Sequence, residues 1–385
     1  MYNIKLLNKI AACGTSLFSE NTYNVGENVE NPDAIMVRSA AMHDMEFGPE
    51  LLAIARAGAG VNNIPIDKCS EQGIVVFNTP GANANAVKEL AIAALLLASR
   101  KIVDGINWAQ TLTEDVAKTV EKGKSAYVGP ELAGKTLGII GLGAIGAQLA
   151  NAAVHLGMKV YGYDPFITVD AAWRLSKSVV HAKALGDIYA NCDYISIHVP
   201  STPDTKGMIN ATSISCMKDG VRILNLSRAD LVNAEDIKKA IADGKVASYV
   251  TDFPTEEVIG VPGIVTIPHL GASTPESEDN CAVMAANELI DFLESGNIKN
   301  SVNFPEAVIP KTGDARLCIF HKNVPNMVAQ ISAIVSENNI NIENMVNCSK
   351  KDNAYTLIEV NGDVPAAAVE KISALENITR VRVIK

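Results

Sequence analysis

The chain has 385 residues, 48% hydrophobic and 20% charged, too long for one ordinary core and too apolar for disorder, so two or three domains are expected. Its 33 basic against 43 acidic residues leave a net charge of −10, which opposes a general role on nucleic acid or an anionic membrane and confines anion binding to local sites. Cys13, Cys69, Cys192, Cys216, Cys281, Cys318 and Cys348 are odd in number and never spaced as CxxC, a usage that points to neither a disulfide framework nor a metal site and fits a reducing cytoplasm.

In chain order, Ile10-Ala11-Ala12-Cys13 has the look of a lipoprotein cleavage box, but Asn8 and Lys9 interrupt the apolar segment such a box requires. No run of about 18 uncharged apolar residues follows, so no membrane span is expected. Ala34 to Val37 and Ile74 to Phe77 read as strands, the first ending in Arg38-Ser39 and the second in the turn Thr79-Pro80-Gly81. A long Ala/Leu-rich helix is expected from Ala84 to Arg100, with a domain boundary near residue 100. The polar stretch from Gln110 to Lys124 reads as a solvated connection.

Between Thr136 and Pro268, apolar strands alternate with helices: Leu137 to Ile140, Val160 to Tyr163, Tyr194 to Val199, Arg222 to Leu226, Tyr249 to Asp252 and Ile264 to Ile267. That rhythm predicts a parallel, doubly wound α/β sheet. A helix from Pro275 through Leu293 leads to a Pro-containing linker at 304–313. The last seventy or so residues read strand, helix, strand, strand, helix, strand, the βαββαβ order of a small ferredoxin-like module, separately patterned as an appended domain would be.

Gly141-Leu142-Gly143-Ala144-Ile145-Gly146 follows the first of these strands directly and opens an Ala-rich helix ending at Gly157. The glycines permit a tight turn and close backbone approach, so a pyrophosphate can sit where free N–H groups and the helix dipole favour an anion. The next strand ends at Asp164, at the spacing of roughly 20 residues expected for an acid that accepts from ribose hydroxyls. A carboxylate there repels a 2′-phosphate, so NAD is favoured over NADP.

Three ionisable residues follow other strands of the same unit: Arg228, Glu256 and His269. Singly, each reads as a surface cation, a loop acid or a hydrogen-bonded histidine. Together, on the edge of a doubly wound sheet that faces the cofactor, they supply what hydride removal from an alcohol needs: a base for the proton, a cation where oxyanion charge develops, and a group to tune the base.

Over essentially its whole length the chain resembles the D-2-hydroxyacid dehydrogenase family, most closely the branch that acts on 3-phospho-D-glycerate. The stretches that carry the resemblance are Asn225-Leu226-Ser227-Arg228, Asp252-Phe253-Pro254-Thr255-Glu256 and Pro268-His269-Leu270-Gly271-Ala272-Ser273-Thr274. The resemblance implies a Rossmann-type NAD domain (101–271) inserted into a flavodoxin-like substrate domain (1–100 and 272–308), with a C-terminal ferredoxin-like ACT domain (314–385). It makes His269 the general acid/base, with Glu256 hydrogen-bonded to it, and gives Arg228 the substrate carboxylate and carbonyl oxygen. Asp252 would orient the nicotinamide carboxamide, and His198, Val199, Pro200, Leu226 and Ser227 would line the cofactor beside Gly141, Gly143, Ala144, Ile145, Gly146 and Asp164. Ala229 in place of Gly, Ala144 in place of Arg, Glu257 in place of Pro, and one residue fewer between Asp252 and Phe253 depart from the family pattern.

For the substrate, Arg38-Ser39 and Arg56-Ala57-Gly58-Ala59-Gly60-Val61-Asn62-Asn63 resemble the family's phosphoglycerate loops, the arginines facing the phosphate and the glycine-rich backbone the carboxylate. Lys124 is a further candidate cation. In the tail, His321, Asn323 and Asn341 stand at positions that hold L-serine in related ACT domains, with Asn326 where many relatives have Gly. The resemblance thus implies oxidation of 3-phosphoglycerate at the head of serine synthesis, in a serine-sensitive homodimer or homotetramer in the cytoplasm. Another D-2-hydroxyacid as substrate and an NAD-sensing scaffold without turnover are the alternatives.

Overall fold

The computed structural model describes residues 1 to 385, the side chain of Asp170 excepted. Three sheets form. The first holds β1 (Tyr2–Leu7), β2 (Tyr23–Gly26), β3 (Ala34–Val37), β4 (Ala53–Arg56) and β5 (Val75–Phe77). The second holds β6 (Thr136–Ile140), β7 (Lys159–Tyr163), β8 (Val179–His181), β9 (Tyr194–Ile197), β10 (Val221–Asn225), β11 (Val246–Thr251) and β12 (Ile264–Thr266). The third holds β13 (Ala315–Lys322), β14 (Asn341–Lys350), β15 (Asn353–Asn361) and β16 (Ile378–Ile384). Among the helices that pack on these sheets are α1 (Ala84–Ser99), α2 (Ala144–His155), α3 (Pro275–Ser295), α4 (Met327–Glu337) and α5 (Ala366–Ser373).

The chain divides into two compact units, one of Met1–Ala82 with Glu278–Lys385 and one of Asn83–Ser277. The first break therefore falls ahead of α1 rather than near residue 100. The reason is small-residue packing: Ala91, Ala94, Leu95 and Ala98 of α1 share one core with Leu149, Ala150 and Ala153 of α2, alanines letting the two helix backbones approach closely. In the segment expected as a plain connection, Val116–Gly123 is helical, with no buried residue.

In the first unit the sheet is parallel with order β2-β1-β3-β4-β5, the flavodoxin order. Strands β3, β4 and β5 are apolar on both faces, as a parallel sheet covered on both sides requires. Ile4, Met36, Ala55 and Phe77 pack with Ala285, Leu289 and Phe292 of α3, while Ile35, Ile54 and Val76 pack with Met42 and Cys69.

The third sheet belongs to this same unit. It is antiparallel, order β14-β15-β13-β16, which confirms the ferredoxin-like topology. One face (Leu317, Ile319, Ile358, Val360) is covered by Ile331 and Val335 of α4 and Ile372 of α5. The other face does not stand apart as an appended module would. Cys318, Phe320, Tyr355 and Leu357 merge into the core that holds Phe292 and Phe304, with the Phe304 and Phe320 rings 5.0 Å apart. Three arginines reinforce the junction. Arg316, fully buried beside Glu359 at 2.5 Å, donates to the carbonyls of Ser295 and Ile309. Arg380 donates to those of Leu51 and Pro49, and Arg382 to those of Phe292 and Leu293.

In the second unit a seven-stranded parallel sheet has order β12-β11-β10-β9-β6-β7-β8, the doubly wound dinucleotide order with one strand added at the edge. All seven cysteines are free thiols, and among the described residues no helix is long and apolar enough to cross a membrane.

Candidate active site

In the second unit the strand-turn-helix after β6 is built around its glycines. Gly141 has φ 92, and a Cβ there would stand 2.4 Å from the carbonyl oxygen of His198. A Cβ on Gly146 would lie 1.9 Å from the Gly141 carbonyl. Gly143 by contrast faces open space. It is followed directly by α2, which no side chain caps, and the first intrahelical bond runs from Ala147 N–H to Gly143. The N–H groups of Ala144, Ile145 and Gly146 thus form the orphan first turn that suits a pyrophosphate. Asp164 accepts from Leu142 N–H at 2.8 Å and from Phe166 N–H at 2.9 Å, which fixes its carboxylate beside the loop with lone pairs left for ribose hydroxyls.

His198 follows β9 and closes the same loop through its N–H, which donates to Ile140 at 2.7 Å. Its Nε2 lies 2.8 Å from Ser196 Oγ. The residue is only half-buried, yet its Nδ1 is sealed from solvent and has no partner among the described residues. Burial pushes the imidazole down to about 4, so it is neutral at working pH and one ring nitrogen awaits a partner. Ser227 Oγ donates to the Ile197 carbonyl at 2.8 Å, beside the same strand end. A close-approach cradle, an uncapped helix, a placed carboxylate and an orphaned ring nitrogen all fit a dinucleotide.

The chemistry-bearing side chains lie after β10, β11 and β12. Phe253 is their common support: the Arg228 guanidinium carbon lies 5.6 Å from its ring centroid and the His269 ring 4.6 Å. Arg228 Nη1 also donates to the Ser227 carbonyl at 2.6 Å. The structure does not bring Glu256 to His269. Glu256 stands exposed in the turn Thr255–Ile259 and makes no hydrogen bond among the described residues, because that turn directs it to solvent.

Two supporting residues were not singled out for this role by the sequence. Asn225, fully buried at the end of β10, donates to the Arg228 carbonyl at 2.7 Å and accepts from Ser227 N–H at 3.2 Å, so it shapes the turn that presents Arg228. Asp252, 1% exposed, accepts from Leu270 N–H and Gly271 N–H, each at 2.8 Å. It thereby pins the turn in which His269 takes a left-handed φ of 54, a conformation costly for a non-glycine residue. The sequence signal for both is a polar side chain ending an apolar strand.

In the first unit, Arg38 and Arg56 end the neighbouring strands β3 and β4, where Val37 pairs with Arg56. Arg56 is half-buried, with Nε donating to the Arg38 carbonyl at 3.1 Å and no carboxylate partner among the described residues. Its Nη1 lies 2.2 Å from where a Cβ on Gly58 would stand, so only glycine leaves room for it. Desolvation lowers the Arg56 pKa, and the Arg38 charge acts in the same direction. Ser39 N–H donates to Asn8 Oδ1 at 3.0 Å. Asn78 donates to the Ala59 carbonyl at 2.6 Å, and His43 Nε2 lies 3.0 Å from the Asn62 carbonyl, so Ala57, Gly58, Ala59, Gly60 and Asn62 lie in an anchored loop. Lys124 is paired with Glu121 at 2.5 Å on the exposed surface.

In the C-terminal sheet the three tail residues do not converge within one chain. His321 is 3% exposed, with Nδ1 at 2.8 Å from the Lys322 carbonyl and Nε2 at 2.9 Å from Thr356 Oγ1. Asn323 donates to the Lys351 carbonyl and Asn341 to Glu343. His321 pairs with Ala354, which pairs with Ser349, whereas Asn341 pairs with Asn361. Ser349 and Asn341 are thus about 26 Å apart along β14 at ~3.3 Å per residue. Asn326 has φ 71, which explains how Asn replaces Gly there: it tolerates the left-handed region.

A family profile described as D-isomer specific 2-hydroxyacid dehydrogenase, NAD binding domain, matches residues 92–271. Among curated relatives, D-3-phosphoglycerate dehydrogenase of Haemophilus influenzae is 30% identical over 88% of this chain and 83% of that protein. The chain belongs to the D-isomer specific 2-hydroxyacid dehydrogenase family. It is an NAD-dependent dehydrogenase. The Escherichia coli K12 protein of the same name is 32% identical over 87% of this chain and 82% of its own length, whereas this chain spans 60% of the Bacillus subtilis relative. The NAD+-bound 3-phosphoglycerate dehydrogenase of Entamoeba histolytica is 28% identical, with a TM-score of 0.61 over 78% of this enzyme and 98% of that chain. D-mandelate dehydrogenase of Rhodotorula graminis shares the fold at a TM-score of 0.68 and 22% identity, covering 80% of this chain and 99% of its own.

Proposed function

We propose that the enzyme oxidises 3-phospho-D-glycerate to 3-phosphohydroxypyruvate, the first step of L-serine biosynthesis. The observation that carries the substrate is Arg56, a desolvated guanidinium against a glycine loop with no carboxylate partner among the described residues, beside Arg38, whose carboxylate partner is the exposed Glu278. Arg56 stands in need of an anion, and a phosphate monoester answers it. The names of the relatives point the same way.

In this reading NAD, when bound, supplies the hydride acceptor for the C2 hydrogen. His269 takes the hydroxyl proton, leaving the carbonyl, and Arg228 binds the carboxylate and steadies the charge on the reacting oxygen. Asp252 holds the His269 turn. Glu256 is assigned the tuning of His269, through a rearrangement of the turn Thr255–Ile259. Arg56→Gln tests the substrate assignment: KM for 3-phosphoglycerate should rise at least about tenfold, with D-glycerate little affected. An equal loss on both acids would remove the phosphate from Arg56.

We further assign the C-terminal sheet an effector, L-serine, bound between two copies of the chain in a homodimer or homotetramer. The separation of His321 from Asn341 supports this, since one chain cannot bring them together. The seven free thiols suit the cytoplasm as the compartment. Inhibition by serine that is lost in Asn341→Ala supports the effector assignment, and a rate unchanged up to millimolar serine would refute it.

A further inference from the structure

Glu278, in the first turn of α3, makes the one side-chain hydrogen bond of the Arg38 guanidinium among the described residues, Nη2 to Oε1 at 2.6 Å. We infer that Glu278 is a specificity-determining residue: an internal anion that occupies Arg38 until a dianionic phosphate monoester takes its place. The inference rests on the phosphate assignment above.

The geometry separates what is fixed from what is exchangeable. The backbone about Arg38 is pinned, with Ser39 and Ala40 N–H both donating to Asn8 Oδ1 at 3.0 and 2.7 Å and the Arg38 carbonyl accepting from Arg56. The Arg38–Glu278 contact is the reverse. It is a single hydrogen bond rather than a two-pronged one, and the two side chains are 45% and 43% exposed, so it adds little to stability and can be given up at little cost. A structural reading of Glu278 as a charge favouring the helix N-terminus leaves it redundant, because Glu276 stands in the same turn.

Charge then decides the specificity. Arg38 and Arg56 are adjacent cations, and Glu278 cancels one of them. A ligand end with a single negative charge gains little by displacing a carboxylate from Arg38, since it replaces like with like. A phosphate dianion brings twice the charge and three oxygens, enough to engage both arginines and release Glu278 to water. An uncharged hydroxymethyl end has no means of displacing it. Glu278 thus sets a threshold that favours the doubly charged end over a terminal carboxylate.

The test is steady-state kinetics of the full-length wild type and Glu278→Gln with three hydroxy acids, 3-phospho-D-glycerate, D-glycerate and D-malate, plus inorganic phosphate as a competitive inhibitor. Gln keeps the size of the side chain and removes its charge. The variant should lower KM for phosphoglycerate and Ki for inorganic phosphate by about threefold, with kcat and the D-glycerate constants unchanged. D-malate, whose far end is a carboxylate, should gain most in kcat/KM. The inference is overturned if Glu278→Gln leaves Ki for phosphate unchanged or raises it, which makes Glu278 a tether for Arg38, or if D-glycerate shifts equally. A wild type indifferent to the phosphate of its substrate would sink the substrate assignment alone, because Ki for inorganic phosphate still reads the exchange at Arg38.

Discussion

The buried carboxylate of Asp252 accepts the N–H of Gly271 at 2.8 Å, and with its second oxygen it holds Leu270 in the same way. The residue just ahead of these two is His269, in a backbone conformation that needs outside support. Asp252→Asn keeps one acceptor and turns the other oxygen into a donor facing an N–H. Charge-assisted bonds of this kind contribute about 1.5–3 kcal/mol each, so kcat should fall between about tenfold and a hundredfold. Gly271→Ala should act similarly, since its Cβ would stand 3.0 Å from Asp252 Oδ2. Stopped-flow hydride transfer alongside NADH fluorescence titration separates positioning from cofactor binding. A loss confined to NADH affinity would assign Asp252 to the carboxamide instead.

His269→Ala should abolish turnover while NADH still binds, since Gly141, Gly143 and Asp164 follow β6 and β7, whereas His269 follows β12. Glu256→Gln should lower kcat for hydride transfer while NADH still binds, if the turn Thr255–Ile259 rearranges to bring the carboxylate to the imidazole. An unchanged kcat would show that Glu256 stays in solvent, as its exposed position in the turn has it.

Much of this site is legible in the sequence, and the boundary of legibility is physical. The GxGxxG turn and Asp164 are local features: the positive φ at Gly141 and the carboxylate of Asp164 held by the loop N–H groups follow from their own strand ends. Arg228 and His269 stand out in the sequence because each follows a strand of a doubly wound sheet, the edge where such folds bind ligands. Their supports are not. Asp252 reaches across 18 residues to Leu270, and Asn225 looks like any polar residue ending a strand. The C-terminal module is legible as βαββαβ, but its docking is not, because Arg316, Arg380 and Arg382 read as surface cations until their carbonyl partners fold onto them. The same holds for α1, whose alanines do not say which helix they pack against.

The docking of the C-terminal sheet predicts a large penalty at Arg316. Arg316→Met leaves Glu359 buried without its cation, and Glu359 Oε2 already has no hydrogen-bond partner among the described residues. Removing one partner of a buried pair costs about 3–5 kcal/mol, readable as a lowered urea midpoint. The double variant Arg316→Met/Glu359→Leu should recover much of that loss, since it strands no charge. Failure of Arg316→Met to destabilise would show that the junction is loose.

Glu288 predicts a pH dependence of stability. It is 7% exposed on α3, and burial raises its carboxyl from 4.5 to about 8 despite the hydrogen bond from Asn300 at 2.8 Å. The folded pKa lies above the unfolded one, so below pH 4.5 the group is neutral in both states and costs nothing. Between pH 4.5 and about 8 the unfolded chain ionises first, and stability drains away at about 1.4 kcal/mol per pH unit. Glu288→Gln keeps an acceptor for Asn300 and removes the titration. Its urea midpoint should match the wild type near pH 4.5 and exceed it increasingly toward pH 8, whereas parallel curves would refute the burial argument.

In the proposed reaction the anion met by Arg38 and Arg56 is the phosphate of the substrate. The most direct measurement is kcat/KM for 3-phospho-D-glycerate against D-glycerate, with NAD, at fixed ionic strength. Two arginine–phosphate contacts predict a preference for the phosphorylated acid of at least about a hundredfold. Equal efficiencies, or a preference for D-glycerate, would contradict it.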